Sequence, residues 1–199
     1  NAKRHKRSRL RARARVRLGR LEGNKGFSVL LRALGHLAQR SALPPLWRWV
    51  LVGDGPMRGE LQGQAVAAGL ADHVVFCGRL ATDELHGWYE AATLFVHPTL
   101  YEGSSLVTLE AMAHRRAVVA TRAGGLPDKV IPGGNGWLVT PGTAEALADS
   151  IAEALSDRQR LVVMGNAGRA LVEREFSWAV VTDRLLDLYR ELLTPAGSL

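Results

Sequence analysis

Leu94-Phe95-Val96-His97-Pro98-Thr99-Leu100-Tyr101-Glu102-Gly103-Ser104-Ser105-Leu106-Val107-Thr108-Leu109-Glu110-Ala111-Met112-Ala113-His114-Arg115-Arg116-Ala117-Val118-Val119-Ala120 is the stretch on which the fold turns. It opens on a short, wholly apolar run, passes through a glycine-bearing loop, reads as a helix over 104–114 and closes on a second apolar run at 117–120. Apolar runs that do not alternate with polar residues fit strands covered on both faces. Two such runs joined by a helix make a βαβ unit, and hence a parallel pair.

The same unit recurs on both sides. Upstream, Phe27, Leu30, Leu31, Leu34 and Leu37 mark one helical face. Trp49-Val50-Leu51-Val52 follows as a strand, stopped by Gly53-Asp54-Gly55-Pro56. Pro56 suits the first turn of a helix running through Met57, Leu61 and Ala65. Val74-Val75-Phe76-Cys77 is the next strand, and 82–92 a helix opened by Thr82 and Asp83, both good capping types. Downstream, Trp137-Leu138-Val139 is a further strand, and from 143 three helices follow with breaks near Asp157 and Ser177. The expected fold is α/β, a doubly wound, Rossmann-like parallel sheet of about six strands flanked by helices. Residues 9–18 fit less simply. Arg alternates there with Leu10, Ala12, Ala14, Val16 and Leu18. A central parallel strand should not carry Arg on one face, so either the strand begins late, near Val16, or this edge of the domain is exposed.

In doubly wound sheets ligands bind beyond the carboxyl ends of the strands, so the strand-end loops hold the candidate site. Gly19-Arg20-Leu21-Glu22-Gly23-Asn24-Lys25-Gly26 places two cations on a glycine-bearing loop leading into a helix. Arg and Lys there suit a diphosphate, although, taken alone, the segment is better explained as two solvated charges on a turn. Gly53-Asp54-Gly55-Pro56 reads as a β-turn. Gly78-Arg79-Leu80 offers backbone groups to a nucleobase, or is a plain strand exit. In the loop after 94–96, Glu102 precedes Gly103, and the backbone N–H groups of Ser104, Ser105 and Leu106 open a helix where an anion binds readily. Glu110 follows roughly 9 Å further along the helix axis. Two carboxylates flanking a phosphate-binding helix start suit the hydroxyls of a sugar and a ribose. Glu110 lies among Leu106, Leu109, Ala111 and Met112, and a buried Glu needs a ligand or a neighbouring cation. The alternative is a helix-start acid and a salt-bridged helix residue. His97, at a strand end, reads as a structural residue or one supporting the site from behind.

Other chemistries are absent from the pattern. The six His show no metal-ligand spacing. There is no P-loop, no GxGxxG opening a helix and no Ser nucleophile elbow. The formal charge is +7, but residues 1–20 hold ten basic side chains and no acid, leaving 16 basic groups of the total 26 against all 19 acids in the remainder. The body is mildly acidic. A basic run attracts any polyanion, yet this one lacks interleaved aromatics and reads first as a solvated tail or interdomain linker, with no specific nucleic-acid partner. Cys77 is the single cysteine, so no intrachain disulfide forms and a cytoplasmic location is expected. No apolar run reaches membrane-helix length, so any membrane contact is peripheral, at the inner face.

Taken in order, the motifs become specific. Gly19-Arg20-Leu21…Lys25-Gly26, Leu51-Val52-Gly53-Asp54-Gly55-Pro56, Val75-Phe76-Cys77-Gly78, Glu102-Gly103 through Glu110-Ala111-Met112-Ala113, and Gly124-Gly125 with Asn135-Gly136-Trp137-Leu138-Val139 resemble the C-terminal domain of GT-B glycosyltransferases. They resemble in particular the retaining family 4, or glycosyl transferases group 1, across roughly residues 15–192. The resemblance implies transfer of a glycosyl group from a UDP-, GDP- or ADP-sugar with retention, with no metal and no other cofactor, to a sugar, lipid or polysaccharide acceptor. Carried over, Arg20 and Lys25 would neutralise the diphosphate and Glu102 would hold the donor sugar. Gly19, Arg79, Ser104, Ser105, Leu106, Val107 and Glu110 would line the donor site, Ser105–Val107 through backbone amides and Glu110 at the ribose. The expected division is a basic tail or linker at 1–14, the nucleotide-sugar-binding domain at 15–192 and a tail at 193–199. The family's N-terminal acceptor domain is not among these residues. A stand-alone nucleotide-sugar-binding module is the alternative. Ser104 and Ser105 stand where the family has Gly or a bulky apolar residue, His114-Arg115-Arg116-Ala117 where it has Gly-x-Pro, and Asp128 where Glu is commoner.

Overall fold

The computed structural model describes residues 14–44 and 47–193, with side chains from Gly19 onward. The basic segment 1–13 and the tail from 194 lie outside the described residues. Six strands, β1 (Ala14–Leu18), β2 (Arg48–Val52), β3 (Val74–Gly78), β4 (Ala92–His97), β5 (Val118–Thr121) and β6 (Gly136–Val139), form one sheet in the order β3-β2-β1-β4-β5-β6. Every pairing is parallel. The chain steps outward from β1 to β3, then crosses back to lay β4 on the other side of β1. That reversal leaves a crevice between the loops that follow β1 and β4.

The sheet is covered on both faces because alternate residues of β2, β4 and β5 are apolar in both directions. Trp49, Leu51, Leu94, Val96 and Val119 pack under α1 (Phe27–Gln39) and α5 (Ala144–Ser156). Val50, Val52, Phe95, Val118 and Ala120 pack with Tyr89, Met112 and Leu171 from α3 (Thr82–Ala91), α4 (Leu106–Ala113) and α6 (Arg158–Leu171). α1 follows from its Leu stripe: Leu30, Leu34 and Leu37 are fully buried, and each such side chain contributes on the order of 2 kcal/mol. A π-turn, Val172–Phe176, joins α6 to α7 (Trp178–Leu193), which buries none of its side chains. Among the described residues no helix is long and apolar enough to cross a membrane.

Of the two readings of the Arg-alternating segment, the exposed edge is overturned: β1, described from Ala14, is paired on both sides, Val16 lying opposite Val50 and Phe95. The Arg-alternating strand is therefore interior, because a period-two pattern reports side chains and not neighbouring strands. Pro56 lies in a turn just before α2 (Arg58–Ala67), whose first flanking residue is Met57. Thr82 and Asp83 are the first residues inside α3 and not its caps; Ala81 flanks that helix without a side-chain bond. At the end of α4, Arg115 takes a left-handed backbone, φ 56°. That conformation suits the family's glycine better than an arginine.

Candidate functional site

Three strand-end loops converge beyond the carboxyl ends of β1, β4 and β5. The loop after β1 contains a 3₁₀ turn, Gly23–Lys25, and enters α1 through Gly26 at φ 69°. A Cβ at Gly26 would lie 1.8 Å from the carbonyl oxygen of Pro98, so only glycine lets the first loop meet the second so closely. The backbone N–H of Leu100 and the hydroxyl of Thr99 both donate to the carbonyl of Asn24, at 2.8 and 2.9 Å. The third loop is joined in the same way. Gly124, φ 50°, packs against the carbonyl of Glu102, where a Cβ would come within 1.5 Å. The N–H of Gly125 donates to the carbonyl of Gly103 at 3.0 Å.

This scaffold brings Lys25 to Glu102 across 77 residues of sequence. Lys25 Nζ donates to Glu102 Oε2 at 3.1 Å, and His97 Nε2 donates to the same oxygen at 2.9 Å. An ionised carboxylate only accepts, so the proton of that second bond sits on Nε2. His97 is almost wholly buried, its ring stacked on Phe95. The hydrogen bond from His97, opposed in part by burial and aided by Lys25, lowers the Glu102 pKa to about 2. Glu102 is thus a fixed anion. Among the described residues its second oxygen, Oε1, has no hydrogen-bond partner.

Beside it α4 begins. Ser105 is the N-cap: its side chain accepts from the N–H of Thr108. The first-turn N–H groups of Leu106 and Val107 remain available to an anion. Gly19, Lys25, His97, Glu102, Ser104, Ser105, Leu106 and Val107 line one cavity of about 190 Å³. Larger depressions, about 680 Å³ beside β3 and about 300 Å³ around Arg115, Arg116 and Arg158, lie away from the strand carboxyl ends.

Of the residues singled out from sequence, Gly19, Lys25, Glu102, Ser104, Ser105, Leu106 and Val107 are brought together here, and Arg20, Arg79 and Glu110 do not line the cavity. The Arg20 side chain is 76% exposed and pairs with Glu22 at 2.7 Å. Arg79 is exposed beyond β3, two strands away from β1. Glu110 lies deeper in α4, and its Oε2 accepts from the hydroxyl of Tyr89 at 2.7 Å. Among the described residues no cation pairs with Glu110; the Tyr89 phenol is the group that meets it. Asp54 is the turn residue expected, accepting from Gly55 N–H and Arg58. His97 and Tyr89 are the residues whose part sequence reasoning undervalued. Tyr89 falls on the inward face of α3 with Trp88 and reads as core; the signal was its hydroxyl, since a buried phenol requires a partner.

The strand order, the reversal between β1 and β4 and the Lys25–Glu102 ion pair at that crevice define a doubly wound, Rossmann-like domain with a strand-end site. The chain matches Glycosyl transferases group 1 over residues 13–157 and belongs to that family. It is 37% identical over 182 residues to the GDP-mannose-dependent alpha-(1-6)-phosphatidylinositol monomannoside mannosyltransferase of Mycobacterium tuberculosis, covering 88% of this chain and 46% of that protein. Among solved structures it resembles HepE of Anabaena in complex with UDP, at 26% identity and a TM-score of 0.84, over 96% of this chain and 52% of the other. It also resembles the C-terminal domain of the group 1 protein LpcC from Francisella tularensis, at 28% identity and a TM-score of 0.75, over 83% and 87% respectively. The chain spans about half the length of the curated relatives it matches.

Proposed function

We propose that this chain is the donor-binding half of a retaining, metal-independent glycosyltransferase of family 4, taking a nucleoside diphosphate sugar at the β1–β4 crevice. The observation that carries the reading is the Lys25–Glu102–His97 cluster facing the open first turn of α4. A diphosphate placed there meets the ammonium of Lys25 and the N–H groups of Leu106 and Val107. Arg20 reaches it by leaving Glu22, exchanging one exposed pair for another at little cost. Positive charge at this point stabilises the negative charge that grows on the departing diphosphate. Glu102, ionised and open at Oε1, accepts from the donor sugar's hydroxyls. Glu110 takes the ribose. Gly19 lines the same cavity, and the loop of Arg79, beyond β3, offers its backbone to the nucleobase.

A cavity of about 190 Å³ is smaller than the roughly 300–1,000 Å³ of a complete small-ligand site. That size suits one wall of a cleft whose other wall, an N-terminal acceptor domain, presents the accepting sugar, lipid or polysaccharide. The exposed apolar face of α7, with Trp178, Leu192 and Leu193, supports the same reading. We place the enzyme in the cytoplasm, with peripheral contact at the inner membrane face. The reading draws on the UDP held by HepE and on the GDP-mannose dependence in the name of the mycobacterial relative. The test is calorimetric titration of residues 1–199 with UDP, GDP, ADP and their sugars. One nucleotide series binds and the isolated chain transfers sugar poorly. Absence of any binding at millimolar concentration would overturn the donor-site reading.

A further inference from the structure

The deeper of the two carboxylates carries a partner that the reaction does not obviously need. Tyr89 is fully buried, on α3 rather than on any strand-end loop. Its ring is fixed by neighbours: His114 stacks on it with centroids 5.3 Å apart and planes 10° off parallel, and Phe95 lies tilted at 5.9 Å. A ring so held leaves its hydroxyl one position. From there the oxygen lies 2.7 Å from Glu110 Oε2 and 3.2 Å from the carbonyl oxygen of Val107. A phenol has one proton, and the closer acceptor, the carboxyl oxygen, takes it. Glu110 is thereby held through Oε2, while Oε1 has no hydrogen-bond partner among the described residues. A carboxylate on a side chain with three rotatable bonds has several rotamers to lose before it can accept from a diol. Tyr89 removes that freedom before any ligand arrives.

We propose that Tyr89 is a positioning residue that pre-orients Glu110 toward the ribose 2′- and 3′-hydroxyls, and so sets the site's preference for ribonucleotide over deoxyribonucleotide donors. This rests on the reading of Glu110 as the ribose acceptor. The variants are structurally mild. With Gln at 110 the Tyr89 proton retains both the amide oxygen and the Val107 carbonyl. With Phe at 89 no buried donor is left unpaired.

The experiment compares, by calorimetry on the full chain, UDP and GDP with their 2′,3′-dideoxy counterparts for wild type, Tyr89→Phe, Glu110→Gln and the double variant. Wild type prefers the ribonucleotide, and Glu110→Gln abolishes the preference. Tyr89→Phe weakens ribonucleotide binding about fivefold and leaves the dideoxy form unchanged. The double variant matches Glu110→Gln alone. Equal weakening of both forms by Tyr89→Phe would show a merely structural tyrosine and overturn the inference, as would no effect on either. If Glu110→Gln removes the preference and Tyr89→Phe does not, only the role of Tyr89 fails. If wild type shows no preference, the ribose reading of Glu110 falls and the inference falls with it.

Discussion

Glu102 and Glu110 stand eight residues apart, one in the loop after β4 and one within α4, yet their surroundings are opposites. Glu102 is met by charge, through the Lys25 ammonium and the imidazole of His97, and its carboxyl titrates at about 2. Glu110 is met by a neutral phenol held between two rings. The first arrangement is assembled from the loop after β1, the last residue of β4 and the loop that follows it. The second is made by two helices that already pack against each other in the core. The difference teaches what each carboxylate is prepared to do. Ion pairing fixes a charge, which a developing transition state can feel. A single neutral hydrogen bond fixes a direction, which a bound ribose can use.

The most damaging way to break this contrast is Gly26→Ala. The new methyl would strike the Pro98 carbonyl, and the left-handed backbone would strain even without the clash. We expect a loss of about 3 kcal/mol, seen as a melting temperature lowered by on the order of 10 °C. Nucleotide binding should fall further than stability alone accounts for, because the Lys25–Glu102 side of the comparison comes apart first. Next in size is Lys25→Ala, which leaves the loops intact and removes one charge. A charge-assisted contact to phosphate is worth roughly 2 kcal/mol, so affinity for the nucleoside diphosphate should weaken about thirtyfold in calorimetry at low salt. Preference for ribose over dideoxyribose, which belongs to the Glu110 side, should survive it.

The sequence announces these two sides unequally. Runs such as Trp49–Val52 and Val118–Ala120 are strands because their apolar residues face both ways, and the Leu stripe of α1 is an unambiguous helical face. The order of loops along the chain then located Lys25 and Glu102 at strand ends. Their meeting at 3.1 Å depends on β4 returning beside β1, which local patterning does not specify. The same gap explains why β1 read as a late or exposed strand. Tyr89 was illegible as a site residue for a different reason. An aromatic on an inward helical face looks like packing, and only the tertiary fold brings its hydroxyl to Glu110. Arg79 is exposed beyond β3, two places from β1, and does not line the cavity beside Glu102.

The smallest expected effect sharpens the charged side alone. Glu102 has a folded pKa of about 2 against an ordinary 4.5, so its contribution to stability is fully present above about pH 4.5. As pH falls through the folded value toward 2, the carboxylate is protonated, the bonds from His97 and Lys25 lose their ionic character, and the contribution is lost. Glu102→Gln starts without it. The stability gap between wild type and this variant, measured by thermal or denaturant unfolding, should therefore be flat from pH 8 to 5 and close progressively below 4.5. Solvent reaches the cavity, so the gap is on the order of 1 kcal/mol and less than the full shift implies. A gap that closed instead between pH 5 and 7 would assign the titration to His97 losing or gaining its second proton. In that case the charge of the imidazole, and not the hydrogen bonds converging on Oε2, would hold the anion at position 102.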